Sequence, residues 1–189
     1  EGPLCITGNS GGSAEVSYAL TRYGREEIID LAVPTGGPPM SRIDLACMDS
    51  DEWAQVCQAA IPMEYLENCS DDRRAHVCDF TQANKALFDA SFEGEPCARR
   101  EAGRMDALRA ASVLSLDADL SYPNSLVHFI AGLRDCTSAL PHGMLYYNAV
   151  ESAKVLTPVN SPHSIYRDPR GRQAILNAIN EGCVSRHGD

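Results

Sequence analysis

The sequence predicts an α/β fold in which a parallel sheet with flanking helices is interrupted by a helical, disulfide-stapled insertion. Three observations lead to it. Strand, helix and strand follow one another near the start, the same alternation returns between residues 122 and 182, and most of the 8 cysteines fall in the stretch between. With 189 residues and 44% hydrophobic content, the chain can build one core but not two complete ones.

Leu4-Cys5-Ile6-Thr7 is a short apolar run ending in glycines, which reads as a strand and a turn. Ser13 then has the character of a cap for a helix through Val16, Leu20 and Tyr23, closed by Gly24. Ile28-Ile29-Asp30-Leu31-Ala32-Val33, ended by Pro34 and the glycines that follow, is nearly continuous in apolar character, as a strand buried on both faces is. Strand, helix, strand in that order favours parallel pairing. Residues 47–110 differ, with helical faces at Phe80, Ala83 and Leu87 and at Met105, Leu108 and Ala111, so they form the cysteine-rich insertion; residues 1–46 and 111–189 form the main unit.

After the insertion, Leu126-Val127-His128-Phe129-Ile130-Ala131 is a second buried strand, ending at Gly132 and Asp135. Helical spacing through Leu145, Ala149 and Ser152 precedes Val155-Leu156-Thr157-Pro158-Val159, where Pro158 predicts an edge strand or a strand end. The last helix is capped by Asp168, has Pro169 in its first turn and Ala174, Ile175, Ala178 and Ile179 on one face, and stops near Gly182.

Lysine and arginine total 16 against 26 acidic residues, a formal net charge of -10. That balance repels a phosphate backbone, so nucleic acid is not an expected partner. No apolar run approaches the roughly 18–20 residues a membrane span needs, and none is expected. The cysteines are Cys5, Cys47, Cys57, Cys69, Cys78, Cys97, Cys136 and Cys183. Structural zinc ligands come in pairs about two to four residues apart, and the closest cysteines here, Cys69 and Cys78, are spaced more widely. All are read as disulfide cysteines, with no metal and no organic cofactor expected. An even, dispersed set suits an oxidising compartment, extracellular or periplasmic. The opening Glu1-Gly2-Pro3-Leu4 has no charged or apolar region of an export signal, which puts any such signal upstream. Asn68-Cys69-Ser70 is a glycosylation sequon, but a bridged Cys69 would make it a poor acceptor.

Chemistry enters at Gly8-Asn9-Ser10-Gly11-Gly12, a G-x-S-x-G motif lying between an apolar strand and a helix. Such a spacing belongs to a strand-to-helix turn so tight that side chains two before and two after the serine would clash. The turn exposes the serine oxygen and leaves the next backbone amide, that of Gly11, at a helix N-terminus where it can stabilise an oxyanion.

In these residues the chain resembles the α/β-hydrolase family over roughly 3–46 and 122–182. The family orders its triad Ser, acid, His along the chain, each at a strand end. Carried over, the resemblance implies Ser10 as nucleophile, His163 in Asn160-Ser161-Pro162-His163 as general base, and Asp135 as the acid that orients it. It further implies a secreted serine hydrolase, carboxylic esters as substrates through an acyl-enzyme, and a lid in the insertion. A serine peptidase of the same fold, or a non-catalytic cysteine-rich effector or inhibitor, are the alternatives. His142 is a second candidate for the base, Cys97 with His142 an alternative nucleophile and base, and His128 is expected to be buried in its strand. Arg167, Arg170 and Arg172 beside His163 read as partners of nearby carboxylates more than as receptors for an acidic substrate. The family's strands before the nucleophile have no counterpart here, which points to a processed fragment completed by a second chain, to which Cys5 especially would bridge.

Overall fold

The structure is a computed structural model that describes residues 2–37, 110, 112–115, 117–135 and 139–184. The insertion expected at 47–110, Asn68, and Cys47, Cys57, Cys69, Cys78, Cys97 and Cys136 lie outside the described residues, save residue 110 itself.

Strands β1 (Cys5–Asn9), β2 (Leu31–Thr35), β3 (Leu126–Gly132) and β4 (Lys154–Val159) form one sheet in the order β1-β2-β3-β4, all parallel. Helices α1 (Gly11–Thr21), α2 (Ala139–Ala149) and α3 (Pro169–Ile179) flank it. Alternate strand residues separate two cores. Ala32, Val127 and Phe129 pack with Val16 and Leu20 of α1 and Tyr146 of α2, whereas Leu31, Val33 and Ile130 pack with Ile165 and Ala178 on the α3 side. Coverage on both faces explains why every residue of β2 and β3 is buried, and why neither strand alternates in polarity. Pro158 sits in β4, which is at the end of the sheet order among the described residues, so its missing amide costs no ladder bond to a further described strand.

Two boundaries differ from the sequence expectation. The amides of Ile28 and Ile29 both donate to Arg25 O, at 3.1 and 3.0 Å, so these isoleucines complete a turn and β2 begins at Leu31. Gly24, at φ 57°, redirects the chain from α1 into that turn. Ser13 is not the cap. The helix starts at Gly11, and Ser13, Ser17 and Thr21 form a buried hydroxyl stripe, donating to the carbonyls of Ser10, Ser13 and Ser17 at 2.6, 2.8 and 2.8 Å. Each hydroxyl satisfies itself against its own helix, so the polar stripe is buried without an orphan donor. Asp168 caps α3 as expected, its carboxylate accepting from Arg170 N at 2.9 Å. Lys154 at the start of β4 caps α2 by donating to the carbonyls of Tyr147 and Val150 at 2.8 and 2.5 Å.

Cys5 and Cys183 form a disulfide with Cα atoms 6.3 Å apart across 178 residues of sequence. It joins the first strand to the turn Asn180–Val184 after α3, so Cys5 bridges within this chain and not to another segment. Among the described residues no helix is long and apolar enough to cross a membrane.

Because this crosslink closes so long a loop, its removal releases much denatured-state entropy. A Cys5→Ser/Cys183→Ser variant is expected to lose about 2–4 kcal/mol of unfolding free energy, read from the shift in urea midpoint. An unchanged midpoint would show that the bridge does not hold the sheet to its last turn.

Candidate active site

A single residue, Ser10, separates β1 from α1. Its φ of 56° and ψ of -116° make it the one non-glycine residue at positive φ among the described residues. Hydrogen bonds hold it on both sides: its amide donates to Thr35 O at 3.0 Å, and its carbonyl accepts from Ser13 N at 3.0 Å. Gly8 is required, since a side chain there would collide with the Gly12 carbonyl and come within 2.9 Å of Ser13 N. Gly12 is not, contrary to the sequence expectation: a Cβ there meets nothing within 4 Å among the described residues. The turn crosses itself at Gly8 against Gly12 backbone, so only one of the two positions must lack a side chain. Gly11 follows Ser10 at the first position of α1; its exposed amide has no hydrogen-bond partner among the described residues. Such a donor, at the positive end of a helix, is free to meet developing negative charge.

The other two candidates arise from the ends of β3 and β4. Asp135 closes a tight turn after β3, its amide donating to Gly132 O at 2.9 Å, and its side chain is only 1% exposed. His163 lies in the loop between β4 and α3, and its Nδ1 is 2.9 Å from Asp135 Oδ2. The hydrogen bond to Asp135 raises the His163 pKa above the ordinary histidine value; partial burial opposes this, and the carboxylate charge adds to it. With Nδ1–H committed to the carboxylate, Nε2 is the acceptor nitrogen of the neutral ring.

The two loops are sewn together. Leu133 N donates to Val159 O at 2.8 Å, Arg134 N to Ser161 O at 3.1 Å, and the Arg134 guanidinium to Asn160 O and Asp168 Oδ2 at 3.2 and 3.1 Å. Gly132 permits this approach, since a Cβ there would lie 2.5 Å from Ser161 O.

Ser10 stands at the same edge of the sheet as this pair, because parallel strands deliver their carboxyl ends together. Among the described residues no hydrogen bond joins Ser10 Oγ to His163; a side-chain amide and a glycine join the two segments instead. Asn9 Nδ2 donates to His163 O at 3.2 Å and to Thr35 Oγ1 at 2.9 Å, while its Oδ1 accepts from Ser10 N at 3.2 Å. The reverse orientation would turn its oxygen toward the His163 carbonyl, so the amide has one workable setting. Gly36, at φ 55°, brings the end of β2 against this cluster, a Cβ there lying 3.0 Å from His163 O and 3.4 Å from its Nδ1. Sequence reasoning left Asn9, Thr35 and Gly36 without a role. Only Asn9 stood inside a motif, at a position the motif leaves free.

The remaining candidates fall elsewhere. His128 is buried in β3 as expected, with Nε2 2.7 Å from Thr157 Oγ1, and burial lowers its pKa while Glu181 pulls weakly the other way. His142 belongs to α2, but its side chain, like all of Cys97, lies outside the described residues. Among the described residues no ion pair joins Arg167, Arg170 or Arg172 to a carboxylate, the pairing the sequence led us to expect. Among the described residues Arg170 Nη1 donates to Asn160 O at 3.4 Å, Arg167 lies 5.4 Å from the Tyr166 ring centre, and Asp168 is already held by Arg134. An open groove of about 530 Å³ runs between the outer edge of β1 and α3, lined by Thr7, Gly8, Asn9, Tyr166, Arg172 and Leu176. Among the described residues no cluster of His, Cys, Asp or Glu is arranged to hold a metal ion.

No protein-family model matches the chain, and no curated protein is similar enough to count as a relative.

Asp135→Asn keeps the shape but removes the charge and the strong acceptor, so the His163 pKa is expected to fall, as read by NMR titration of its ring protons; an unmoved value would mean that the pair does not form in solution. Gly132→Ala should cost about 1–3 kcal/mol by forcing the two loops apart, measured by thermal unfolding.

Proposed function

We propose that the chain is the catalytic portion of a secreted serine hydrolase of α/β-hydrolase type, acting on carboxylic esters. One observation carries the reading: the His163–Asp135 pair, bonded at 2.9 Å, stands at the same sheet edge as a serine held at positive φ between strand and helix. The order Ser10, Asp135, His163 after the parallel strands β1, β3 and β4 supports it, as does the Gly11 amide beside Ser10, which has no hydrogen-bond partner among the described residues.

In this reading Ser10 Oγ attacks the ester carbonyl carbon while His163 Nε2 takes its proton. Asp135 holds the ring by Nδ1 and stabilises the imidazolium that forms. The carbonyl oxygen, now an anion, accepts from Gly11 N. His163 returns the proton to the departing alcohol, leaving an acyl-Ser10 ester that water, activated by the same histidine, hydrolyses. No cofactor takes part. A peptide amide would pass through the same residues, so the pocket alone would separate an esterase from a peptidase. Residues 47–110 would serve as the lid. The Cys5–Cys183 bridge supports an oxidising, extracellular or periplasmic setting.

A fluorophosphonate probe tests the reading without a known substrate. Label is expected on Ser10, absent in Ser10→Ala, and slowed about 10⁴-fold in Asp135→Asn and about 10⁶-fold in His163→Ala. An unlabelled, folded protein would return the disulfide-rich effector or inhibitor reading to first place. The base must be neutral to accept a proton. With the His163 pKa raised, the labelling rate should fall as pH drops through a midpoint above 6.5, the ordinary histidine value; an acid limb at or below that value would show that the Asp135 bond does not raise the His163 pKa in solution.

A further inference from the structure

We infer that Asn9 is a positioning residue, whose amide holds the loop bearing His163 in register with Ser10; this rests on the hydrolase reading. The sequence gives no reason to single out Asn9, since the motif accepts any residue between its first glycine and the serine. The geometry does. Its side chain is the direct polar link between the serine turn and the histidine loop among the described residues, donating to His163 O at 3.2 Å and accepting from Ser10 N at 3.2 Å. Thr35 Oγ1 completes the arrangement, accepting from Asn9 Nδ2 at 2.9 Å and donating onward to Gly8 O at 3.2 Å. Three strand ends thereby share one hydrogen-bonded junction.

The polarity of that junction selects an amide. His163 O requires a donor; Ser10 N, which also donates to Thr35 O at 3.0 Å, offers a second bond to an acceptor, and the Thr35 hydroxyl can take either role. Asparagine supplies both from a single planar group of the right reach. Aspartate has the same shape but no donor when ionised, and would set a negative charge against the His163 carbonyl. Alanine would remove the Asn9 bond to that carbonyl, which also accepts from Ile165 N at 2.9 Å, and would leave the serine turn and the histidine loop without this link. Asn9 touches neither Nε2 nor the serine oxygen, so it acts through the placement of both. Because attack requires Oγ, Nε2 and the carbonyl carbon in line, a small shift of the histidine loop slows the acylation step and leaves substrate binding unaltered.

The test measures kcat and KM for p-nitrophenyl butyrate, with fluorophosphonate labelling of Ser10, in the wild type, Asn9→Ala, Asn9→Asp and Ser10→Ala. Circular dichroism at the assay temperature establishes that each is folded. The expected result is a fall in kcat of about 10- to 100-fold in Asn9→Ala, with KM unchanged and the acid limb of the pH profile where the wild type has it, since Asp135 still holds His163. Asn9→Asp should lose at least as much despite its shape. Wild-type kcat in folded Asn9→Asp would overturn the inference and leave the hydrolase reading standing, because Ser10 would still be labelled. A rise in KM at constant kcat would also overturn it, making Asn9 a substrate contact. A wild type that neither turns over ester nor takes label would sink the hydrolase reading itself, and this inference with it.

Discussion

The carboxyl edge of the sheet depends on how closely the loop after β4 approaches the ends of its neighbours. Parallel strands deliver their ends to one side, but that alone leaves side chains at strand spacing, and hydrogen bonding across strand ends requires the backbone itself to come nearer. Gly132 and Gly36 allow it. Each lies where a Cβ would press on the Ser161 or His163 carbonyl, at 2.5 and 3.0 Å, so the loop rests on backbone where any other residue would hold it away. The hydrogen bonds from Leu133, Arg134 and Asn9 then fix what the glycines permit.

Two histidines on adjacent strand systems show how one residue type acquires opposite properties. Burial disfavours the charged ring in both. At His128 nothing of comparable strength offsets it, the nearby hydroxyl of Thr157 serving a neutral ring, and the pKa falls. At His163 the Asp135 bond outweighs burial and the pKa rises. The pairing is needed by both partners: a carboxylate 1% exposed is stable only with hydrogen bonds that replace its lost water. The placement of Asp135 at the foot of a tight turn, and of His163 on a loop tied down at several points, keeps that pair together without a flexible search for partners.

The fold was legible because hydrophobic runs and turn residues carry it. Nearly continuous apolar stretches at 126–131 and 28–33 signalled buried strands, and Pro158 signalled an edge or a strand end. The two failures have local causes. Ile28 and Ile29 have strand composition but lie in a turn that follows a left-handed glycine, and composition does not register a backbone reversal. Ser13 resembles a cap, yet the helix begins as soon as the chain leaves Ser10, which makes Ser13 an interior residue bonding back to its own helix. At the site, residue types and chain order brought forward Ser10, Asp135 and His163, and the structure sets Asp135 against His163. Asn9, Thr35 and Gly36 were illegible because their significance is relational: each matters for a backbone atom far away in sequence.

The conformation of Ser10 bears on why a serine stands there at all. A non-glycine residue at φ 56° costs about 1–3 kcal/mol relative to a relaxed backbone. If the turn required only an unusual backbone, glycine at this position would supply it without that cost, and glycines already stand at 8, 11 and 12. The hydroxyl does not repay the strain through structure, since among the described residues Ser10 Oγ makes no hydrogen bond and the turn is held entirely by the Ser10 backbone amide and carbonyl. A side chain kept at a strained position, with glycines on either side and no part in the bonds that hold the turn among the described residues, is what the proposed nucleophile role of Ser10 would require.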